Sequence, residues 1–381
     1  MAQPAPELNI PASTATVDVS IINTSSILYG LDTTRFFGPQ VPGHEYLAGP
    51  CYSFLIQHPV LKRSLVFDLG VRKDVENTPR PLLEAAKAGG VGISVSKDVR
   101  EILDENGVDA KTIEAVIWSH AHFDHTGNPA RFDPNTALIV GPGVKEHLFP
   151  GYPANQHVMF LEADYADREV KQLDFTAGTP FKIGQLPAID YFGDGSFYFL
   201  DTPGHCIGHV CGFARVTSNP DSFVLMGGDV VHHEGELRPS RFHPLPDSIS
   251  PHPFDPNGDS APCPGHLFEK LLHDGKKDEP FYRATTVDQH GYPSVHHDAA
   301  LRVETVFKVQ EHDAHNNILF VPAHSHYMLN VVDFFPAKAN DFVKKGWVGK
   351  TRWSFLANFA KAVGHEGKVE AAGDYNTPHT S

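Results

Sequence analysis

Apolar and polar positions in this chain change over in short runs, which is the pattern of strands more than of long amphipathic helices. Residues 16–22, Thr-Val-Asp-Val-Ser-Ile-Ile, alternate and predict a first strand. Residues 51–56 and 64–70 predict a strand pair joined by a polar turn around His58-Pro59. Further apolar runs at 115–118, 137–140, 196–201, 222–226 and 317–322 each end at polar residues and read as buried strands. Helical spacing is present in two places. Val99, Ile102 and Leu103 mark a helix over 97–106 that Gly107 stops, and Ala299, Val303, Val306, Phe307 and Val309 mark another over 294–312.

Between these elements, residues 29–50 have loop chemistry with Phe36 and Phe37 among them, and are expected to pack on a sheet edge more than to cover a site. Residues 231–293 are rich in Pro, His and Asp, contain one short helix at 266–272, and read as an insertion that opens beside the site with His232-His233-Glu234. The expected organisation is a flexible lead over 1–15, a main domain over 16–335 and a C-terminal extension over 336–381. In the extension a closing helix pair carries Trp347 and Trp353 and ends in a tail of about a dozen residues.

With 381 residues and 41% hydrophobic content, the chain can bury a full core. A net charge of −15 without a cluster of Lys and Arg argues against a nucleic-acid surface. No apolar run reaches the ~18 residues of a membrane span, and the first residues lack the pattern of a secretory signal. Cys51, Cys206, Cys211 and Cys263 lack metal-finger or redox spacing. Reduced thiols and a cytoplasmic location are the expectation.

Candidate chemistry is concentrated in Ser119-His120-Ala121-His122-Phe123-Asp124-His125-Thr126-Gly127-Asn128, directly behind the apolar run 115–118. On an extended segment side chains two apart point the same way, so His120, His122 and Asp124 can converge while His125 faces elsewhere. That geometry suits two metal ions better than one, and the nitrogen and oxygen donors suit zinc, with iron, manganese or cobalt as alternatives. With 24 histidines in the chain, a merely histidine-rich loop is the competing reading, and the position behind an apolar strand weighs against it. Three later strands also end in candidate ligands: 196–201 in Thr202-Pro203-Gly204-His205, 222–226 in Gly227-Gly228-Asp229, and 317–322 in Ala323-His324-Ser325-His326. His209 is expected as a packed, hydrogen-bonded residue at the start of the next strand.

These four motifs, in this order and strand context, resemble those of the metallo-β-lactamase-fold hydrolase superfamily. The resemblance spans about residues 16–335 and is nearest to the lactone-hydrolysing branch, in its larger fungal versions. It implies an α/β fold, a four-layer αβ/βα sandwich with a dinuclear site along one edge. One ion would be held by His120, His122 and His205, the other by Asp124, His125 and His324, with Asp229 bridging; His326 is the alternative to His324. Two Zn2+ are implied, with Fe or Mn as substitutes. Family members often carry an acid directly after the last ligand, where this chain has Ser325. Asp124 is implied as proton shuttle as well as ligand. Three residues after the bridging aspartate, bacterial lactonases carry a tyrosine that assists the carbonyl oxygen; here that position is His232.

The function so implied is a hydrolase that opens a lactone, or a related lactam or cyclic carbamate, by attack of a hydroxide shared between the ions, with detoxification as its setting. The alternative is a thioesterase of glyoxalase-II type, which would favour basic residues near the motifs that this acidic chain lacks. A metal-stabilised binding protein without catalysis is the third reading, and it would have a compact, closed ligand set. The partner expected is a small carbonyl substrate, with neither nucleic acid nor membrane, and a homodimer is allowed.

Overall fold

A computed structural model describes residues 2–256, 260–291, 293–367 and 369. The larger sheet has seven strands in the order β5-β1-β3-β4-β6-β7-β8. These are β1 (Asp18–Asp32), β3 (Tyr46–His58), β4 (Arg63–Phe67), β5 (Gly92–Ser94), β6 (Ile113–Ile117), β7 (Ala137–Val140) and β8 (Val170–Gln172). A second sheet of six runs β17-β13-β12-β11-β10-β9. It is built from β9 (Phe181–Ile183), β10 (Leu186–Asp190), β11 (Phe197–Asp201), β12 (Val210–Thr217), β13 (Ser222–Met226) and β17 (Ile318–Val321).

The sheets face each other because each strand buries one row of side chains between them. Val19, Ile21, Phe54, Leu65, Phe67 and Ile117 of the first sheet meet Phe197, Phe199, Val224, Met226 and Leu319 of the second. Helices cover both outer faces. α2 (Val99–Glu105) starts at a capping box in which Asp98 accepts the Glu101 N–H, and it lays Val99 and Leu103 on the first sheet. α5 (Ala299–Asp313), capped by Asp298, lays Val306 and Val309 on the second. The result is the four-layer αβ/βα sandwich expected from the sequence. Among the described residues no helix is long and apolar enough to cross a membrane.

Several segments differ from their sequence reading. β1 runs on to Asp32 and β3 begins at Tyr46, so much of the 29–50 segment is strand. A bulge between Tyr29 and Leu31, with Gly30 at φ +77°, breaks the alternation that would have revealed it. Its aromatics divide their roles: Phe37 is buried in a second core, while Phe36 also lines the main cavity. α1 (Arg80–Ala88) and β8 to β10 had no clear signal, the strands being short or broken by Pro and Gly. The closing helix pair is shorter than its pattern, because Gly346 at φ +67° separates α6 (Phe342–Lys345) from α7 (Trp347–Thr351). Its tail lies outside the described residues.

Residues 231–293 have little regular structure beyond a 3-10 segment (Gly265–Leu271) and two-residue strands: β14 (Ser248–Ile249) pairs with β15 (Cys263–Pro264), and β16 (Arg283–Ala284) with β2 (Phe37–Gly38). They nevertheless share an apolar cluster with the end of the chain, in which Phe254, Phe268, Phe281 and Tyr282 meet Phe355 and Phe359. Trp347 and Phe342 reach the main core. At the other end Leu8 is buried and its carbonyl accepts the Gly184 N–H at 2.7 Å, which ties the lead to the second sheet.

Candidate metal centre

Strand register places the motifs together. β4 and β6 are parallel with Phe67 beside Ile117, so the next residues, Asp68 and Trp118-Ser119, emerge side by side. β13 and β17 are parallel with Met226 beside Val321, which sets Gly227-Gly228-Asp229 against Pro322-Ala323-His324. The β11–β12 hairpin, paired from Asp201↔Val210, holds residues 202–209 at the same edge. His122 is extended (φ −82°, ψ 150°) and starts the short helix α3 (Phe123–Thr126). His120 and His122 therefore leave an extended run, while Asp124 and His125 leave the first helical turn.

Among the described residues three groups of donors result; Asp229 belongs to two of them, and the third, His205 with His232 and His296, has no carboxylate. In the first, His205 Nε2 lies 3.2 Å from His120 Nε2 and 3.0 Å from His122 Nδ1, with Asp229 Oδ2 at 3.5 Å. In the second, Asp229 Oδ1 lies 3.2 Å from His125 Nε2 and 3.0 Å from His324 Nε2, and Asp124 Oδ2 is 3.4 Å from the latter. The two oxygens of one carboxylate thus face different sets. His125 faces the second set together with Asp124, apart from the set that His120 and His122 enter.

The outward nitrogens of four of the five histidines are held. His125 Nδ1 meets Asp68 Oδ2 at 2.8 Å, His324 Nδ1 meets Pro50 O at 2.9 Å, His120 Nδ1 meets Ser119 Oγ at 3.0 Å, and His205 Nδ1 meets His296 Nδ1 at 3.3 Å. Such contacts orient a ring so that the other nitrogen offers its lone pair inward. His125 Nε2 and Asp229 Oδ1 are fully buried and unpaired by hydrogen bonds, a costly state unless a cation lies between them. Burial, then the neighbouring imidazoles, holds His120 and His205 well below their usual pKa and keeps them neutral, as a metal requires. Burial alone would raise Asp229, but His125, His324 and His232 around it hold it well below the carboxylate range. At His125 and His324 burial is outweighed by the facing Asp229 carboxylate, which holds both imidazoles well above their usual pKa. The donor types and the orientation of these rings fit divalent transition-metal ions, which would take the place of those protons.

Around this core lie residues with no signal of their own in the sequence. Arg302 is buried against Glu236, with Nη2 3.0 Å from Oε1, and Nη2 also lies 3.2 Å from His232 Nδ1. A guanidinium only donates, so Nδ1 accepts and the His232 proton sits on Nε2, 3.3 Å from Asp229 Oδ2. His296 takes the tautomer that donates from Nε2 to Phe36 O at 2.8 Å, leaving Nδ1 to accept from His205. His209 is packed as expected: Nδ1 faces Thr202, and Nε2 accepts the Asp229 N–H at 3.0 Å. His324, not His326, reaches Asp229, and His326 lines the cavity. Ser325 donates through Oγ to Glu234, so an acid does stand behind the last strand end, supplied from elsewhere in the chain.

The site forms one wall of a cavity of about 390 Å³. Leu28, Leu31, Phe36, Leu47, Met159 and Val295 supply its apolar wall, and the cavity also touches His232, Glu234 and Asn358. A cavity of this size with convergent polar groups takes a small molecule.

An αβ/βα sandwich with paired His/Asp donor sets at one edge defines a metal-dependent hydrolase. The chain belongs to the metallo-beta-lactamase superfamily, which matches residues 47–276. It is 41% identical over 373 residues to the γ-lactamase FDB1 of Fusarium pseudograminearum, covering 96% of this chain and 89% of that one. It is likewise 41% identical over 367 residues to the metallo-hydrolase mfmC of Annulohypoxylon moriforme, covering 95% and 93%. The fold is shared with a mutant of B. thuringiensis AiiA that has N-decanoyl-L-homoserine bound at its active site, with a TM-score of 0.54 at 15% identity over 85% of this chain and 99% of that one.

Proposed function

We propose that this chain is a two-zinc hydrolase that opens a small cyclic ester or amide. The observation that carries the reading is Asp229, whose two oxygens face separate donor sets on the wall of a cavity sized for a small ring. His120, His122 and His205 would hold one ion, and Asp124, His125 and His324 the other. When bound, the pair supplies Lewis acidity and a water acidic enough to ionise near neutral pH.

The chain's own residues do the rest. The apolar wall excludes bulk water from the ring, which strengthens every polar contact within. Asp124 stands on the cavity wall and is placed to carry a proton to the departing ring oxygen or nitrogen. His232, fixed by Arg302 as an Nε2–H donor, is positioned to give a hydrogen bond to a carbonyl oxygen. The γ-lactamase name of a relative favours a lactam among the rings.

Acyl thioesters on an anionic carrier fit less well, because Arg35 is the one Lys or Arg among the described residues of the cavity lining. The test is hydrolysis by the zinc-loaded protein of a panel of γ-lactones and γ-lactams beside acyl thioesters. Ring opening at least tenfold above thioester cleavage in kcat/KM is expected; the reverse order would refute the reading.

A further inference from the structure

The cavity holds a carboxylate that the metal sets do not use. Glu234 is 6% exposed and lines the cavity. Oε1 accepts the Ser325 hydroxyl, and among the described residues Oε2 has no hydrogen-bond donor and Glu234 has no ion pair. The Arg238 guanidinium in its field is taken by Asp313, with Nε 2.8 Å from Oδ2, and by Arg352 O at 2.9 Å. Oε2 is not among the fully buried unpaired atoms, so it is open to the cavity, and a ligand that displaces solvent from it must bring a donor in exchange.

Asn358 lines the same cavity, and its orientation is fixed by a chain of donors. The Gly235 N–H donates to His233 Nδ1 at 3.0 Å, so the His233 proton is on Nε2, which donates to Asn358 Oδ1 at 3.1 Å. The Tyr327 hydroxyl donates to the same oxygen. Both lone pairs of Oδ1 are occupied, and the amide nitrogen is left as the free end of the side chain. The cavity therefore offers an acceptor at Glu234 and a donor at Asn358.

We propose that Glu234 and Asn358 form a specificity subsite for a secondary amide carried by the substrate, its N–H donated to Glu234 and its C=O accepting from Asn358. The subsite extends the ring-hydrolase reading and rests on it for the reacting ring alone. Ser325 links Glu234 to His324, so the recognised group sits beside the reacting one, on the ring or on its first substituent. A ring with only ester oxygens leaves Glu234 unpaired and binds more weakly.

The probes are N-hexanoyl-homoserine lactone and the same molecule methylated on its amide nitrogen, titrated calorimetrically into zinc-loaded wild-type protein and Glu234→Gln. In the variant Oε1 still accepts from Ser325, which preserves the fold, while the second position becomes an N–H donor that repels the probe's N–H. The wild type is expected to bind the N–H probe at least tenfold tighter than the N-methyl probe, a ratio that falls to near one in Glu234→Gln. Asn358→Ala is expected to weaken the N–H probe about fivefold with its metal content unchanged. Equal wild-type affinities, no measurable binding of either probe, or a ratio that survives in Glu234→Gln overturns the proposal. The readout is affinity and not turnover, so a protein that shows the ratio yet hydrolyses no ring keeps the subsite and loses the hydrolase reading.

Discussion

Asp68 Oδ2 lies 2.8 Å from His125 Nδ1, while Oδ1 of the same carboxylate accepts the Ser119 N–H at 2.7 Å. Asp68 thereby couples the end of β4 to the histidine motif behind β6 and turns His125 Nε2 toward Asp229. Asp68→Asn keeps the shape but presents an amide, which favours the wrong tautomer of His125. Metal affinity is expected to fall about 10- to 100-fold, read by competition with a chromophoric chelator. Unchanged affinity would mean that His125 is oriented by other contacts.

His232 faces Asp229 on one side and Arg302 on the other, and its ring stands edge-on to Phe36 with centroids 4.8 Å apart. His232→Phe fills the same space without the N–H. We expect kcat to drop about 10- to 100-fold with metal content intact, in the range seen on removing a single oxyanion donor or less. Turnover at the wild-type rate would take His232 out of the reaction.

Gly49 in β3 faces the backbone of the last candidate ligand, and a Cβ there would meet His324 O. Backbone cannot swing aside as a side chain can. Gly49→Ala should cost about 1–3 kcal/mol in denaturant unfolding and should loosen metal binding in parallel, since the shift falls on His324. A stability loss with metal binding unaffected would separate this contact from the site.

Asp201 at the end of β11 has its pKa pushed up to about 6 by burial. Its folded value is thus above the ordinary one, so the charged form destabilises the fold, fully above pH 6 and progressively less as pH falls toward 4. Asp201→Asn should therefore stabilise the protein at pH 8 by on the order of 1 kcal/mol. The gain should shrink through pH 6 and be absent near pH 4; a gain independent of pH would point to packing as its source.

The parts of the site that could be read from sequence share one property, a polar residue directly behind a buried apolar run. His120, His205, Asp229 and His324 all stand there, and parallel or hairpin register then draws those ends together. Asp68 ends an apolar run in the same way, and that position was the available signal for it. Arg302, Glu236, His296 and Asn358 had none, because each acts through a partner distant in sequence, as in the 66-residue separation of Arg302 from Glu236. The extension of β1 past Gly30 was hidden for a local reason, since a bulge reverses which side chains point inward.

The central claim is that Asp229 serves two ions at once, and elemental analysis of protein reconstituted with zinc tests it most directly. The wild type should retain about two equivalents per chain, His324→Ala about one, and Asp229→Ala less than one, with ring-opening activity lost on chelation and restored by zinc. One equivalent or fewer in the wild type, or activity untouched by a chelator, would contradict the account.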